Sequence, residues 1–320
     1  MSDTPNILVH HGDPEPLVEL IQGRFPDTEI TSCSTYADLP EAVADSKAEA
    51  VLSFRFEPGP YPREALLVPP VRWVHVGGVA VDHLAPWNPE VVTVTNSAGI
   101  HADVIAEYAL AAVFALNLKL HRFVRNQAAH RWAPEPLAQS AGGTMLVVGL
   151  GRLGRAVAAR AKAHGMQVIG ASPRATQAVE GIDGVFGLDD LRLALPMADY
   201  VVLFLPLTDR TRGLIDGLAL AAMRRGSYLI NMAHGGIVDE PALIAALRSG
   251  HLGGAVLDAF AVEPLPADSP LWDLDNVIVT PRATTLFDGW ERACAELFCD
   301  NLERAIAGEP LANVVEPEGR

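Results

Sequence analysis

The ten residues Met145-Leu146-Val147-Val148-Gly149-Leu150-Gly151-Arg152-Leu153-Gly154 decide how this chain is read. Met145–Gly149 is an apolar run with the length of a buried strand. Arg152–His164 places Ala, Val and Ala on one face at helical spacing. Between them stands Gly-x-Gly-x-x-Gly in the setting that gives the pattern meaning, a strand turning into a helix. The first glycine permits the tight turn, and the second lets the backbone approach a pyrophosphate. The third lets helix pack on strand, and the helix N-terminus faces the phosphates. A dinucleotide-binding turn is therefore expected at Gly149, Gly151 and Gly154, with Arg152 and Leu153 between them.

Outward from this turn the same alternation continues. Toward the C-terminus, strands are expected at Gln167–Ala171, Tyr200–Leu205, Tyr228–Asn231, Gly254–Leu257 and Val277–Thr280, then a helix over Gly289–Ala307. Toward the N-terminus, strands are expected at Asn6–His10, Glu29–Cys33, Ala50–Phe54, Arg72–Val76 and Val91–Thr95, punctuated by Gly and Pro clusters. Alternating strand and helix implies parallel sheets covered on both faces. Asp103–Arg125 reads as one long helix, apolar almost all round, which needs burial between domains or against a second subunit. Pro134–Gly143 breaks the pattern after it.

Size and charge bound the function. The chain has 320 residues, 24 Lys+Arg against 39 Asp+Glu, and a formal net charge of −15. That length accommodates two domains. The acid excess excludes a general nucleic-acid binder and adhesion to an anionic membrane. The start, MSDTPNILVHHGD, lacks the basic and apolar regions of a secretory signal. The longest apolar stretch, Val104–Leu118, is interrupted by Glu107 and Asn117 and is too short to span a bilayer. Cys33, Cys294 and Cys299 are odd in number and lack metal-type spacing. No metal and a cytoplasmic location are expected.

The second strand after the glycine turn predicts the cofactor. It ends in Ser172-Pro173-Arg174, with no acid before Glu180. A carboxylate there would hold the ribose 2′-hydroxyl of NAD. Without one, nothing repels a 2′-phosphate, and Ser172 and Arg174 can bind it through charge-assisted contacts. NADP(H) is favoured and NAD(H) remains possible; the plainer reading leaves Arg174 as a solvated surface residue.

Further motifs follow in order: Asn96-Ser97-Ala98-Gly99-Ile100-His101, Leu205-Pro206-Leu207-Thr208, Thr211-Arg212-Gly213-Leu214-Ile215, Leu229-Ile230-Asn231, Gly236-Ile237-Val238-Asp239-Glu240, Leu257-Asp258-Ala259-Phe260, Glu263-Pro264-Leu265-Pro266 and Asn276-Val277-Ile278-Val279-Thr280-Pro281. Together with the glycine turn, the chain resembles the D-isomer-specific 2-hydroxyacid dehydrogenase family over nearly its whole length. The resemblance implies an α/β protein of two doubly wound parallel-sheet domains. A Rossmann cofactor domain, residues 102–285, would be inserted into a flavodoxin-like substrate domain, residues 1–101 and 286–320. It also implies a homodimer formed through the helix and arm at about 102–142, and an active site in the interdomain cleft. The cofactor would be held by Leu205, Pro206, Thr211, Ala233 and Asp258 beside the glycine turn, Asp258 standing near the nicotinamide carboxamide. The loop 77–82 resembles the one whose amides bind the substrate carboxylate, which assigns Gly78, Val79 and Ala80. Ala80 stands where glycine is usual, and a side chain there restricts the backbone.

The sequence departs from this family at its chemistry. The family keeps an arginine after Asn-x-Ala, a histidine after Thr-Pro, and a glutamate that raises the histidine's pKa. Here the text is Asn231-Met232-Ala233-His234 and Thr280-Pro281-Arg282, with Glu263 in place. Histidine and arginine have exchanged positions. A proton donor must titrate near neutral pH, which suits histidine; arginine stays charged and holds anions. Three readings follow. The roles swap with the residues, so that His234 passes the proton and Arg282, oriented by Glu263, grips the substrate. Or the site performs another redox step with Arg282 as electrostatic stabiliser. Or turnover is lost and a dinucleotide-binding regulatory or interaction protein remains. The blander view treats His234 and Arg282 as structural.

The expectation adopted is an oxidoreductase acting on a small anionic 2-oxo or 2-hydroxy acid, with His234, Glu263 and Arg282 as its catalytic set. Arg55, after the third strand, is placed to meet a second acidic group. His75, His83 and His101 read as structural, and Trp132 as a packing residue near the arm.

Overall fold

The computed structural model describes residues 5–173, 178–285 and 287–317. The chain forms two compact units: Met1–Ile100 with Asp288–Arg320, and His101–Phe287. In chain order the first contains β1 (Ile7–His10), α1 (Glu15–Arg24), β2 (Ile30–Cys33), α2 (Leu39–Ser46), β3 (Ala50–Ser53), β4 (Trp73–Val76) and β5 (Thr93–Asn96). The second contains α3 (Ala102–Asn117), α4 (Leu120–Ala128), β6 (Thr144–Val148), α5 (Arg152–Ala163), β7 (Gln167–Ser172), β8 (Gly184–Gly187), α6 (Leu191–Ala194), β9 (Tyr200–Leu203), α7 (Gly217–Ala222), β10 (Tyr228–Asn231), α8 (Glu240–Arg248), β11 (Gly254–Leu257) and β12 (Val277–Val279). The chain then returns to the first unit as α9 (Trp290–Ala307).

The first unit is a parallel five-stranded sheet of order β2-β1-β3-β4-β5, with Ile7 opposite both Ile30 and Ala50. Strand side chains alternate between faces. Leu8, Val51, Val74 and Val94 pack with Leu39 and Val43 of α2. Ile7, Val9, Leu52 and Trp73 pack with Leu17 and Ile21 of α1 and with Cys294, Phe298 and Leu302 of α9. Phe298 stacks on Trp73 at 4.6 Å between ring centres. Burial on both faces explains why these strands read as continuous apolar runs.

The second unit is a parallel seven-stranded sheet of order β12-β11-β10-β9-β6-β7-β8, doubly wound about β6. Met145 and Val147 face a layer in which α3 packs on α5, through Ala106, Ala109 and Val113 against Val157 and Ala158. Leu146 and Val148 share the other face with Leu220 of α7 and Leu243 and Leu247 of α8. Both expected parallel α/β sheets are thus present.

Two features differ from the sequence reading. Strand β8, Gly-Val-Phe-Gly, was not expected; it is a half-buried edge strand with two glycines and only two large apolar residues. The single helix over Asp103–Arg125 is two helices bent by 64°. Lys119 is left-handed there, at φ 54°. Asn117 donates to the hydroxyl of Tyr200 at 2.5 Å, which buries a polar side chain at the end of α3. Beyond the bend α4 leaves Leu120 and Val124 exposed.

Candidate active site

The glycine turn has the steric features that a dinucleotide-binding turn needs. Gly149 has φ +109°, and a Cβ there would lie 2.8 Å from the Phe204 carbonyl carbon. A Cβ on Gly154 would lie 1.9 Å from the carbonyl oxygen of Gly149, so only glycine lets α5 pack here. A Cβ on Gly151, by contrast, meets nothing within 4 Å, which leaves its backbone open to a ligand. Beside the N-terminus of α5 lies a cavity of about 580 Å³, lined by Gly149, Gly151, Arg152, Arg155, Ser172, Phe204, Leu205 and Pro206 among others. Open glycine backbone, a helix N-terminus and two arginines suit a dinucleotide pyrophosphate.

Not every expected cofactor residue lines this cavity. Leu153 is partly buried against the α3–α5 layer, and Gly154 is buried. Thr211 is buried too, its hydroxyl donating to the Pro206 carbonyl at 2.6 Å and so stapling the loop after β9. Ala233 and Asp258 lie at the ends of β10 and β11. Arg174 falls outside the described residues. Arg155, which the sequence reading missed, donates from Nε to the Leu150 carbonyl at 3.0 Å. The signal was its i+3 spacing from Arg152 on a first helical turn.

The exchanged pair assembles within the second unit. Asn231 closes β10 and pins the next turn: its Oδ1 accepts from the Ala233 amide at 3.1 Å, and its Nδ2 donates to the His234 carbonyl at 3.2 Å. Gly235 then presses so closely on Phe260 that a Cβ would lie 1.8 Å from that carbonyl carbon. The turn bearing His234 is thereby fixed against the backbone leading to Glu263. The Glu263 carboxylate accepts from the Phe260 amide at 3.0 Å and from Arg282 Nη1 at 3.3 Å. Arg282 itself is left-handed, with φ 52°. The His234 imidazole is held below the ordinary histidine pKa, first by burial and then by the Arg282 charge, against an opposing pull from Glu263. His234, Glu263 and Arg282 therefore share one electrostatic neighbourhood.

The loop carrying Arg282 is tied down by groups that the sequence reading did not connect. The Asp258 carboxylate is buried and accepts from the Thr280 hydroxyl at 2.7 Å, the Ala283 amide at 2.7 Å, and the amide and hydroxyl of Thr284 at 3.2 and 2.5 Å. Tyr108 of α3 donates its hydroxyl to Thr280 Oγ1 at 2.7 Å.

The remaining expected residues belong to the first unit. Gly78 has φ +157°, and its carbonyl accepts from the Ser97 amide at 2.8 Å. Asn96 Nδ2 donates to the Val79 carbonyl at 2.8 Å, so both turn carbonyls are anchored. Ala80 is not left-handed, so alanine is accommodated where glycine is usual in the family. Arg55 is exposed after β3 and lends its charge to the surroundings of Tyr61 and His83. His75 is buried between Thr95 Oγ1 at 2.7 Å and Ser97 Oγ at 3.0 Å, and burial pushes its pKa down to about 3. It is a structural histidine.

Known proteins are similar to this chain in sequence and fold. Residues 110–283 match the family model described as D-isomer specific 2-hydroxyacid dehydrogenase, NAD binding domain. A (S)-sulfolactate dehydrogenase of Chromohalobacter salexigens is 38% identical over 217 residues, which cover 67% of this chain and 70% of that protein. A D-3-phosphoglycerate dehydrogenase of Methanocaldococcus jannaschii is 39% identical over 174 residues, but the match covers only 33% of its length. A crystal structure of a D-isomer specific 2-hydroxyacid dehydrogenase from Xanthobacter autotrophicus Py2, in complex with NADPH and MES, superposes with a TM-score of 0.78 at 33% identity. It covers 98% of this chain and 99% of that one. Motif order, both sheets and a full-length structural match agree, and the chain belongs to the D-isomer specific 2-hydroxyacid dehydrogenase family.

Proposed function

We propose that this chain is an NADP(H)-preferring oxidoreductase that interconverts a small 2-oxo acid and its 2-hydroxy acid, with the proton role moved to His234. The observation that carries the reading is the Arg282–Glu263 contact of 3.3 Å, with His234 inside the field of both charges. The exchange leaves a guanidinium paired with a carboxylate, both acting on a titratable imidazole.

When bound, the nicotinamide supplies hydride to C2 of the 2-oxo acid or accepts it from the 2-hydroxy acid. An imidazole nitrogen of His234 gives a proton to the carbonyl oxygen in reduction and takes it from the hydroxyl in oxidation. Arg282 keeps its proton at any working pH and stabilises negative charge on the substrate. Glu263 orients that guanidinium. Arg152, Arg155, Ser172 and the open Gly151 backbone would hold the cofactor phosphates, and the NADPH bound in the Xanthobacter relative supports the NADP(H) preference.

The chain functions as a cytoplasmic homodimer in this reading. Its three cysteines are free and buried, as suits a reducing compartment. Leu120, Val124, Trp132 and Leu137 expose apolar surface along α4 and the arm after it, Trp132 at 97%. Sedimentation of Val124→Asp/Trp132→Ala should show monomer where the unchanged chain shows dimer; a monomeric unchanged chain refutes the assembly.

The functional test is direct. The protein is mixed with NADPH or NADH and a panel of 2-oxo acids such as glyoxylate, hydroxypyruvate and phenylpyruvate, and reduced-cofactor absorbance is followed. Cofactor binding without any loss of absorbance would leave a silent dinucleotide-binding protein.

A further inference from the structure

The Asp258 carboxylate has about four acceptor positions, and four donors fill them: Thr280 Oγ1, the Ala283 amide, and the amide and hydroxyl of Thr284. All four belong to the segment 280–284, and Arg282 stands in its middle in a left-handed conformation that side-chain-bearing residues avoid. Such a conformation persists where its surroundings over-determine it. The chain of donors extends one step further, because Thr280 Oγ1 accepts from the hydroxyl of Tyr108 at 2.7 Å. Hydroxyl, hydroxyl and carboxylate thus form an ordered run from α3 to the end of β11. The Asp258 charge in turn helps raise the Tyr108 pKa, after burial, which keeps that hydroxyl a donor.

We propose that Tyr108, Thr280 and Asp258 form a positioning relay that sets where the Arg282 guanidinium stands, and through it the charge that His234 experiences. The proposal rests on the functional reading above only for its effect on substrate. It gives Asp258 a part as clamp on the arginine loop, beside the contact with the nicotinamide carboxamide that the family resemblance implies.

The charged groups acting on His234 are Arg282, which lowers its pKa, and Glu263, which raises it. Displacing Arg282 should therefore move the His234 titration upward. Tyr108→Phe and Thr280→Val each delete one hydroxyl of the relay, and Thr280→Ser keeps it. Three quantities are measured on the full chain: the His234 titration by NMR, the NADPH dissociation constant, and KM for a 2-oxo acid. In Tyr108→Phe and Thr280→Val the His234 titration should shift upward and KM rise about tenfold, while NADPH affinity stays within about twofold. Thr280→Ser should restore the unchanged chain's values. An unmoved His234 titration in both deletion variants overturns the relay. Lost NADPH affinity with an unmoved titration also overturns it, and leaves Asp258 to the cofactor alone. The NMR titration needs no turnover. A chain that reduces no 2-oxo acid, yet shows the upward shift, sinks the functional reading and supports the relay.

Discussion

Arg282 Nη1 stands 3.3 Å from Glu263 Oε1, so the glutamate's charge meets a guanidinium before it meets the imidazole of His234. A histidine paired directly with a carboxylate would have its pKa raised. Here the imidazole is pushed down, by burial and by the arginine. The exchange of two residues thus alters the pH at which the proton is available.

The sign of the resulting pH dependence is fixed. In the proposed mechanism reduction needs protonated His234, and a pKa below about 6.5 leaves little of that form at neutral pH. The reductive kcat/KM should fall as pH rises from about 5 to about 8, whereas oxidation of the 2-hydroxy acid, which needs neutral imidazole, should hold its rate toward neutral pH. Glu263→Gln removes a charge that raises the His234 pKa and should move the reductive limb to still lower pH. The pair is partly exposed, so the same variant should lose at most about 1 kcal/mol of stability. Profiles in both directions check this, and a reductive rate that climbs with pH would refute it.

Separate roles for the exchanged residues predict separate kinetic signatures. His234→Ala should reduce kcat by about 10²- to 10⁴-fold and abolish its pH dependence. Arg282→Lys keeps the charge but loses the planar fork, and should chiefly raise KM. If Arg282→Ala leaves KM unchanged, Arg282 is not the substrate grip.

Cofactor binding offers two contrasting variants. Gly154→Ala places a methyl carbon 1.9 Å from the Gly149 carbonyl oxygen, so the turn must open, and both NADPH and NADH binding should be lost together with stability. Arg174→Ala should weaken NADPH much more than NADH, because only NADPH carries the 2′-phosphate. Titration calorimetry with both cofactors decides between them, and equal losses in Arg174→Ala would remove that residue from the phosphate.

Acid should unfold the first unit. Burial pushes His10 and His83 down to about 4 and His75 to about 3. Unfolded histidines bind protons from about pH 6.5 downward while these three stay neutral, so the unfolded state gains protons and stability falls with pH across that window. Each fully buried histidine, His10 and His75, costs up to about 1.4 kcal/mol per pH unit. Urea unfolding followed by fluorescence reports it, since Trp73, Trp87 and Trp290 all lie in this unit. A midpoint independent of pH between about 7 and about 5 would contradict it.

The parts legible in sequence were those set by local stereochemistry. Gly149 and Gly154 announce themselves because no other residue fits their positions, and buried parallel strands announce themselves as unbroken apolar runs. The bend at Lys119 carries no glycine or proline to mark it, and the Asn117 side chain that ends α3 beside it is held by Tyr200, a partner 83 residues away. Strand β8 lacks a continuous apolar run because an edge needs to bury little. The exchanged pair could be read from the text as a substitution. That Glu263 orients Arg282 was also legible, but that Asp258 clamps the loop carrying Arg282 required strands β11 and β12 to be placed side by side.

The path of the chain has a consequence for its synthesis. The second unit is one continuous segment, whereas the first lacks α9 until synthesis has passed the whole of that segment. Ile7, Val9, Leu52 and Trp73 await Cys294, Phe298 and Leu302 throughout that interval. A nascent chain therefore carries this apolar sheet face covered by α1 alone while the inserted unit matures. Ribosome-bound chains ending before residue 290 should need chaperone protection that the finished protein does not.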